Sequence, residues 1–93
     1  MLKIIYHKKA SKNILPLDKE IAKRILEKIE RIAEYYSIIK HEQLSNLPDD
    51  LKGLCKHRVG DYRILYFLNL KNKELQIFGI IHRSKDYKLI RKG

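Results

Sequence analysis

A chain of 93 residues with 44% hydrophobic content and a formal net charge of +10 describes one small globular domain, 1–93, and excludes a disordered chain. A lone Cys55 cannot form an internal disulfide, no apolar run is long enough to span a membrane, and the N-terminus lacks a signal peptide's apolar block, so a cytoplasmic protein with no membrane partner is expected. The charge is uneven: residues 1–16 carry four Lys and no acid, 17–53 carry seven basic and eight acidic residues, and 54–93 carry ten basic and three acidic ones. Such an asymmetry suits a surface made for phosphates.

In chain order, Leu2-Lys3-Ile4-Ile5-Tyr6 alternates enough to form a short strand. A short helix over Lys8–Leu15 follows and ends at Pro16, which disfavours helical geometry in the residue before it. Asp18 is placed as the N-cap of a second helix, in which Ile21, Ala22, Ile25, Leu26, Ile29, Ile32, Ala33 and Tyr36 make an apolar stripe. Glu20 with Arg24, Lys23 with Glu27 and Glu27 with Arg31 stand four apart on its outer side, a pattern of ion pairs on a solvated face. Residues 37–53 read as a connection with at most one helical turn, ending at Gly53. Three strands near 54–59, 62–69 and 74–82 complete the domain, with Lys71-Asn72-Lys73 at the second reversal.

The first reversal is the most informative stretch. Gly60-Asp61 between two β-prone runs predicts a type II′ hairpin, which sets Val59 opposite Tyr62, Arg58 opposite Arg63 and Lys56 opposite Leu65. Opposite residues project to the same side. One face then carries Cys55, His57, Val59, Tyr62, Ile64 and Tyr66, suited to packing under the helices. The other carries Leu54, Lys56, Arg58, Arg63, Leu65 and Phe67, cationic at one end and apolar at the other. Two arginines directly across a ladder repel, so that face awaits an anion from outside the chain. A three-residue second reversal would place Arg83 on the cationic face beyond Arg63. His57 and His82 fall on the opposite parity, His82 being a reserve candidate because it stands at a strand end. Cys55 reads as a small core residue, and no metal-ligand spacing is present.

Leu51-Lys52-Gly53-Leu54 leading into Arg58-Val59-Gly60-Asp61-Tyr62-Arg63-Ile64-Leu65-Tyr66, with a terminal His82-Arg83-Ser84-Lys85-Asp86-Tyr87, resembles the RelE/ParE toxin superfamily over essentially the whole chain. The resemblance implies an α+β fold, a small antiparallel sheet of about four strands with two N-terminal helices packed on one face. It also implies the toxin of a type II toxin–antitoxin system, a ribosome-dependent endoribonuclease that cuts mRNA in the A site and is held inactive by a cognate RelB-like antitoxin protein. Carried over by position, the catalytic set is Lys56, Arg58, Arg63, Arg83 and Tyr87, with no cofactor and no metal. In the best-studied branch a second lysine stands where this chain has Arg58, and a guanidinium is a poor general base. The implied reaction is attack of an RNA 2′-hydroxyl on the adjacent phosphate with expulsion of the next nucleotide's 5′-oxygen. The arginines would hold the phosphate, Tyr87 would stack on a base or orient the sugar, and Lys56 would act as base. A ParE-like inhibitor of DNA gyrase without nuclease activity, or a non-toxic basic nucleic-acid-binding module, are the alternative functions. The apolar residues Leu54, Leu65 and Phe67 beside the cations suggest that an acidic, flexible antitoxin wraps the sheet and lays a helix or strand across them and the C-terminal strand.

Overall fold

The computed structural model describes residues 1–85. Tyr87 lies outside the described residues. Strand β1 (Lys3–Tyr6), helix α1 (Lys8–Ile14), helix α2 (Lys19–Glu34) and strands β2 (Glu42–Gln43), β3 (Cys55–Val59), β4 (Tyr62–Asn69) and β5 (Glu74–His82) form one five-stranded sheet in the order β1-β5-β4-β3-β2. The sheet is mixed: β1 joins β5 in parallel and every other pairing is antiparallel. The fold is thus the expected α+β, with the two-residue β2 and the parallel edge strand going beyond a four-stranded antiparallel sheet. No helix among the described residues is long and apolar enough to cross a membrane.

The apolar stripe of α2 explains its position. Ile25, Ile29, Ile32 and Ala33 are buried against Cys55, Ile64, Tyr66, Leu75 and Ile77, the helix-facing parity of the strands. Asp18 occupies the N-cap position, and there its backbone carbonyl accepts the first helical bond from the Ala22 N–H at 2.9 Å while its side chain makes no cap bond. None of the three expected i,i+4 ion pairs on the outer side forms among the described residues, where the ion pairs are Lys52–Asp49, Lys56–Glu42 and Arg83–Asp61. Exposed pairs of long side chains gain too little Coulomb energy to offset the rotamer freedom they lose.

The first hairpin has the expected register, with Val59 opposite Tyr62, Arg58 opposite Arg63 and Lys56 opposite Leu65. Gly60 has φ +59° and Asp61 lacks positive φ, the requirement of a type II′ turn. The second reversal differs from expectation. Asn69, not Leu70, faces Glu74, so its loop has four residues, with Lys73 at φ 55°. A bulge in β5 then offsets the difference: Tyr66 pairs with Ile77 but Leu65 with Gly79, leaving Phe78 as the extra residue. Beyond it Arg63 faces Ile81 and the Arg83 N–H donates to the Asp61 carbonyl at 2.7 Å, the alignment that a three-residue loop would have produced.

Opposite α2 the sheet carries a second core. Leu54 and Leu65 are 0% and 1% exposed beneath Leu44, Leu47 and Leu51 of the segment linking β2 to β3. This corrects the expectation that an antitoxin covers Leu54 and Leu65, because the chain covers them itself. Phe67 remains half-buried.

Candidate nucleic-acid site

Where the second core ends, the same face of the sheet becomes charged. Strand β2 pairs only with Cys55 and Lys56, so Glu42 lies opposite Lys56 and shares its side of the sheet. The Glu42 Oε2 is 3.1 Å from the Lys56 Nζ. Together with Arg58 and Arg63 these two residues line a concavity of about 140 Å³. The hairpin register supplies Lys56, Arg58 and Arg63, and the short edge strand adds the carboxylate.

The Arg58 Nε donates to the Gly60 carbonyl at 3.0 Å, which folds this exposed side chain back over the turn. Among the described residues the half-buried Arg63 guanidinium has neither an ion pair nor a hydrogen bond. The cost of holding it beside Arg58 without a counter-charge is the kind that an incoming phosphate removes. Arg83 follows the parity of Arg63, yet its Nε lies 3.6 Å from the Asp61 Oδ1 and it does not line the concavity. Both partners of that pair are about 60% exposed, so the contact is weak enough to exchange for another anion. His82 lies off the site: it pairs with Tyr62, its ring packs edge-on against the Tyr62 ring at 5.1 Å, and its Nδ1 is 2.9 Å from the Ser84 hydroxyl.

The strand that carries Glu42 is tied down from its own start. The His41 Nδ1 lies 2.8 Å from the Tyr66 hydroxyl and its Nε2 lies 2.7 Å from the Tyr36 carbonyl. A carbonyl only accepts, so Nε2 carries the proton and Nδ1 accepts from the phenol. Burial, with a smaller contribution from Cys55, pushes the Tyr66 phenol far above its ordinary range, so it stays a donor. Tyr66→Phe is expected to leave the His41 Nδ1 without a partner and to cost about 1–3 kcal/mol, read as a lower denaturant midpoint at constant m-value.

His57, on the helix-facing side, titrates below its ordinary value because burial disfavours its charge and because Lys28 and His41 stand near it. A folded-state value below the unfolded one means that this contribution is complete above the unfolded value, near pH 6.5, and is lost as pH falls through the folded one. Lys28→Gln is expected to raise the His57 titration midpoint, as followed by the imidazole proton resonances, and to delay the loss of stability on acidification.

Sequence reasoning missed Glu42. It stands in a stretch read as loop, where a two-residue strand has no periodicity to betray it. The signal lay in spacing of another kind, since Leu44, Leu47, Leu51 and Leu54 recur at intervals of three and four through the same connection.

No curated protein sequence matches the chain. Solved structures do. The archaeal RelE–RelB complex from Pyrococcus horikoshii is similar at 25% identity and TM-score 0.68, over 91% of this chain and 98% of that one. The RelBE2 toxin–antitoxin complex from Mycobacterium tuberculosis aligns at 19% identity and TM-score 0.73, covering 90% and 93%. The isolated E. coli RelE toxin aligns at 13% identity and TM-score 0.73, covering 99% and 95%. Residues 4–87 match the family described as the ParE toxin of type II toxin–antitoxin systems, and the chain belongs to that family: it is a type II toxin of the RelE/ParE superfamily.

Proposed function

We propose that this toxin is a ribosome-dependent endoribonuclease that cuts mRNA in the A site, and that a RelB-like antitoxin restrains it. The observation that carries the reading is the concavity in which Glu42, Lys56, Arg58 and Arg63 converge, with Arg63 unpartnered among the described residues. An inhibitor acting through protein contacts has no use for two cross-strand arginines beside a carboxylate, whereas phosphoryl chemistry has a use for each.

In the proposed reaction the 2′-oxygen forms a bond to phosphorus and the bond to the next nucleotide's 5′-oxygen breaks. The 2′-hydroxyl proton passes to the base and the departing 5′-oxygen takes a proton from water, so the products are a 2′,3′-cyclic phosphate and a 5′-hydroxyl. Arg63 and Arg58 stabilise the charge that grows on the phosphate oxygens, Arg83 joins them by exchanging Asp61 for the phosphate, and Tyr87 stacks on a base. Expected from sequence as the base, Lys56 is bonded to a carboxylate, and an ammonium has no vacant position for another proton. Glu42 has one. We therefore assign proton acceptance from the 2′-hydroxyl to Glu42, with Lys56 holding that carboxylate and adding positive charge beside the phosphate.

A gyrase inhibitor is the second reading, favoured by the ParE description of the matching family. Purified toxin assayed in parallel for inhibition of gyrase supercoiling and of cell-free translation separates them. Translation should stop while supercoiling continues; blocked supercoiling with normal translation would assign the chain to the other branch.

A further inference from the structure

A second, larger concavity lies on the helix side of the same hairpin. It measures about 380 Å³ and is lined by Arg24, Lys28 and Arg31 of α2 and by Arg58, Val59 and Gly60 of the β3–β4 turn, with Glu27 the acidic residue among them. Positions 24, 28 and 31 share one face of the helix. The sequence offers Arg24 and Arg31 carboxylates four residues away, yet among the described residues neither they nor Lys28 enter an ion pair. Burial is the main reason that the His57 imidazole resists its charge, and Lys28 stands close enough to add to that effect, a sign of positive potential at this wall. Arg58 lines both concavities. It can do so because β2 pairs no further than Lys56, so that among the described residues β3 has no strand on its β2 side from His57 onward and Arg58 stands at that edge.

We propose that the concavity between α2 and the β3–β4 turn is a phosphate-backbone site that continues the cleavage face over the open edge of β3, so that one RNA strand crosses Arg58 and lies against Arg24, Lys28 and Arg31. The strand's direction of approach rests on the nuclease reading; the binding itself does not. RNA is favoured over an acidic protein segment because the two concavities meet at Arg58, so that cations continue from one to the other, and because four of the seven lining residues here are Lys or Arg and Val59 is the one aliphatic side chain, offering little to an amphipathic helix.

The test is binding of a fluorescent single-stranded 2′-O-methyl RNA, which cannot undergo 2′-attack, to the full chain at several salt concentrations. Arg24→Gln with Arg31→Gln should weaken binding at least tenfold and reduce the slope of log affinity against log salt by about 1.4, from about 0.7 per lost phosphate contact. Lys19→Gln with Lys23→Gln removes the same charge from the same helix outside the concavity and should change affinity less than threefold. Circular dichroism confirms that all the exposed substitutions leave the fold intact. Equal losses in the two double variants, or no loss in either, would overturn the proposal. So would intact RNA binding with loss of antitoxin binding in the Arg24/Arg31 variant, which would give the concavity to a protein partner. If the chain binds the RNA as described yet never cleaves mRNA, the site stands and the nuclease reading fails.

Discussion

Glu42→Gln is expected to lower single-turnover cleavage of mRNA on programmed ribosomes by about 10²-fold to 10⁴-fold, the range that a positioned general base contributes. The amide keeps the size of the carboxylate and removes both its proton-accepting capacity and the 3.1 Å ion pair with Lys56. Ribosome affinity should not fall, because a negative charge has been taken from a surface that binds phosphates. Lys56→Ala should weaken cleavage and binding together. The pH profile separates the roles: a carboxylate base is already ionised at neutral pH, so the wild-type rate should be flat from there upward. An amine base would make it climb steadily with pH. A climbing profile that Lys56→Ala abolishes, with Glu42→Gln fully active, would return the base to Lys56.

Arg63→Ala should reduce cleavage by about 10²-fold or more, with the loss in the chemical step exceeding the loss in binding, because a guanidinium poised at the phosphate is worth most when charge develops on its oxygens. Folding should survive, since among the described residues the Arg63 guanidinium has no partner to lose. Arg83→Ala should reduce cleavage too, but it starts from the Asp61 contact at 3.6 Å, so Asp61→Asn is its companion. Freeing Arg83 in that variant should leave cleavage unchanged or raise it. His82→Gln is the control, and its ring against Tyr62 predicts near-normal cleavage.

The hairpin at the heart of the site was legible because one dipeptide fixed it. Gly60-Asp61 dictated the turn, the turn dictated the register, and two-residue alternation then sorted Lys56, Arg58 and Arg63 from His57 and Tyr62. The placement of Arg83 came out correctly for an incomplete reason, since a four-residue loop and a bulge at Phe78 together restored the alignment that a shorter loop would give. Sequence patterns carry little signal for a bulge, because it breaks the alternation on which strand reading depends. The segment between α2 and β3 was the least legible. Its Leu44, Leu47 and Leu51 belong to no regular element long enough to show a period, yet they cover Leu54 and Leu65, two of the apolar residues that suggest an antitoxin surface, and leave Phe67 half-buried. The charges of α2 were misread through local pairing: spacing in one helix is visible in sequence, whereas the neighbourhood of Arg58 that draws Arg24, Lys28 and Arg31 into one concavity is tertiary.

The most direct test of the account is end-group analysis of mRNA recovered from programmed ribosomes after incubation with the purified toxin. Cuts confined to the A-site codon, leaving a 2′,3′-cyclic phosphate upstream and a 5′-hydroxyl downstream and lost in Arg63→Ala, are the result predicted. Intact mRNA, or a cut leaving a 5′-phosphate, would contradict it.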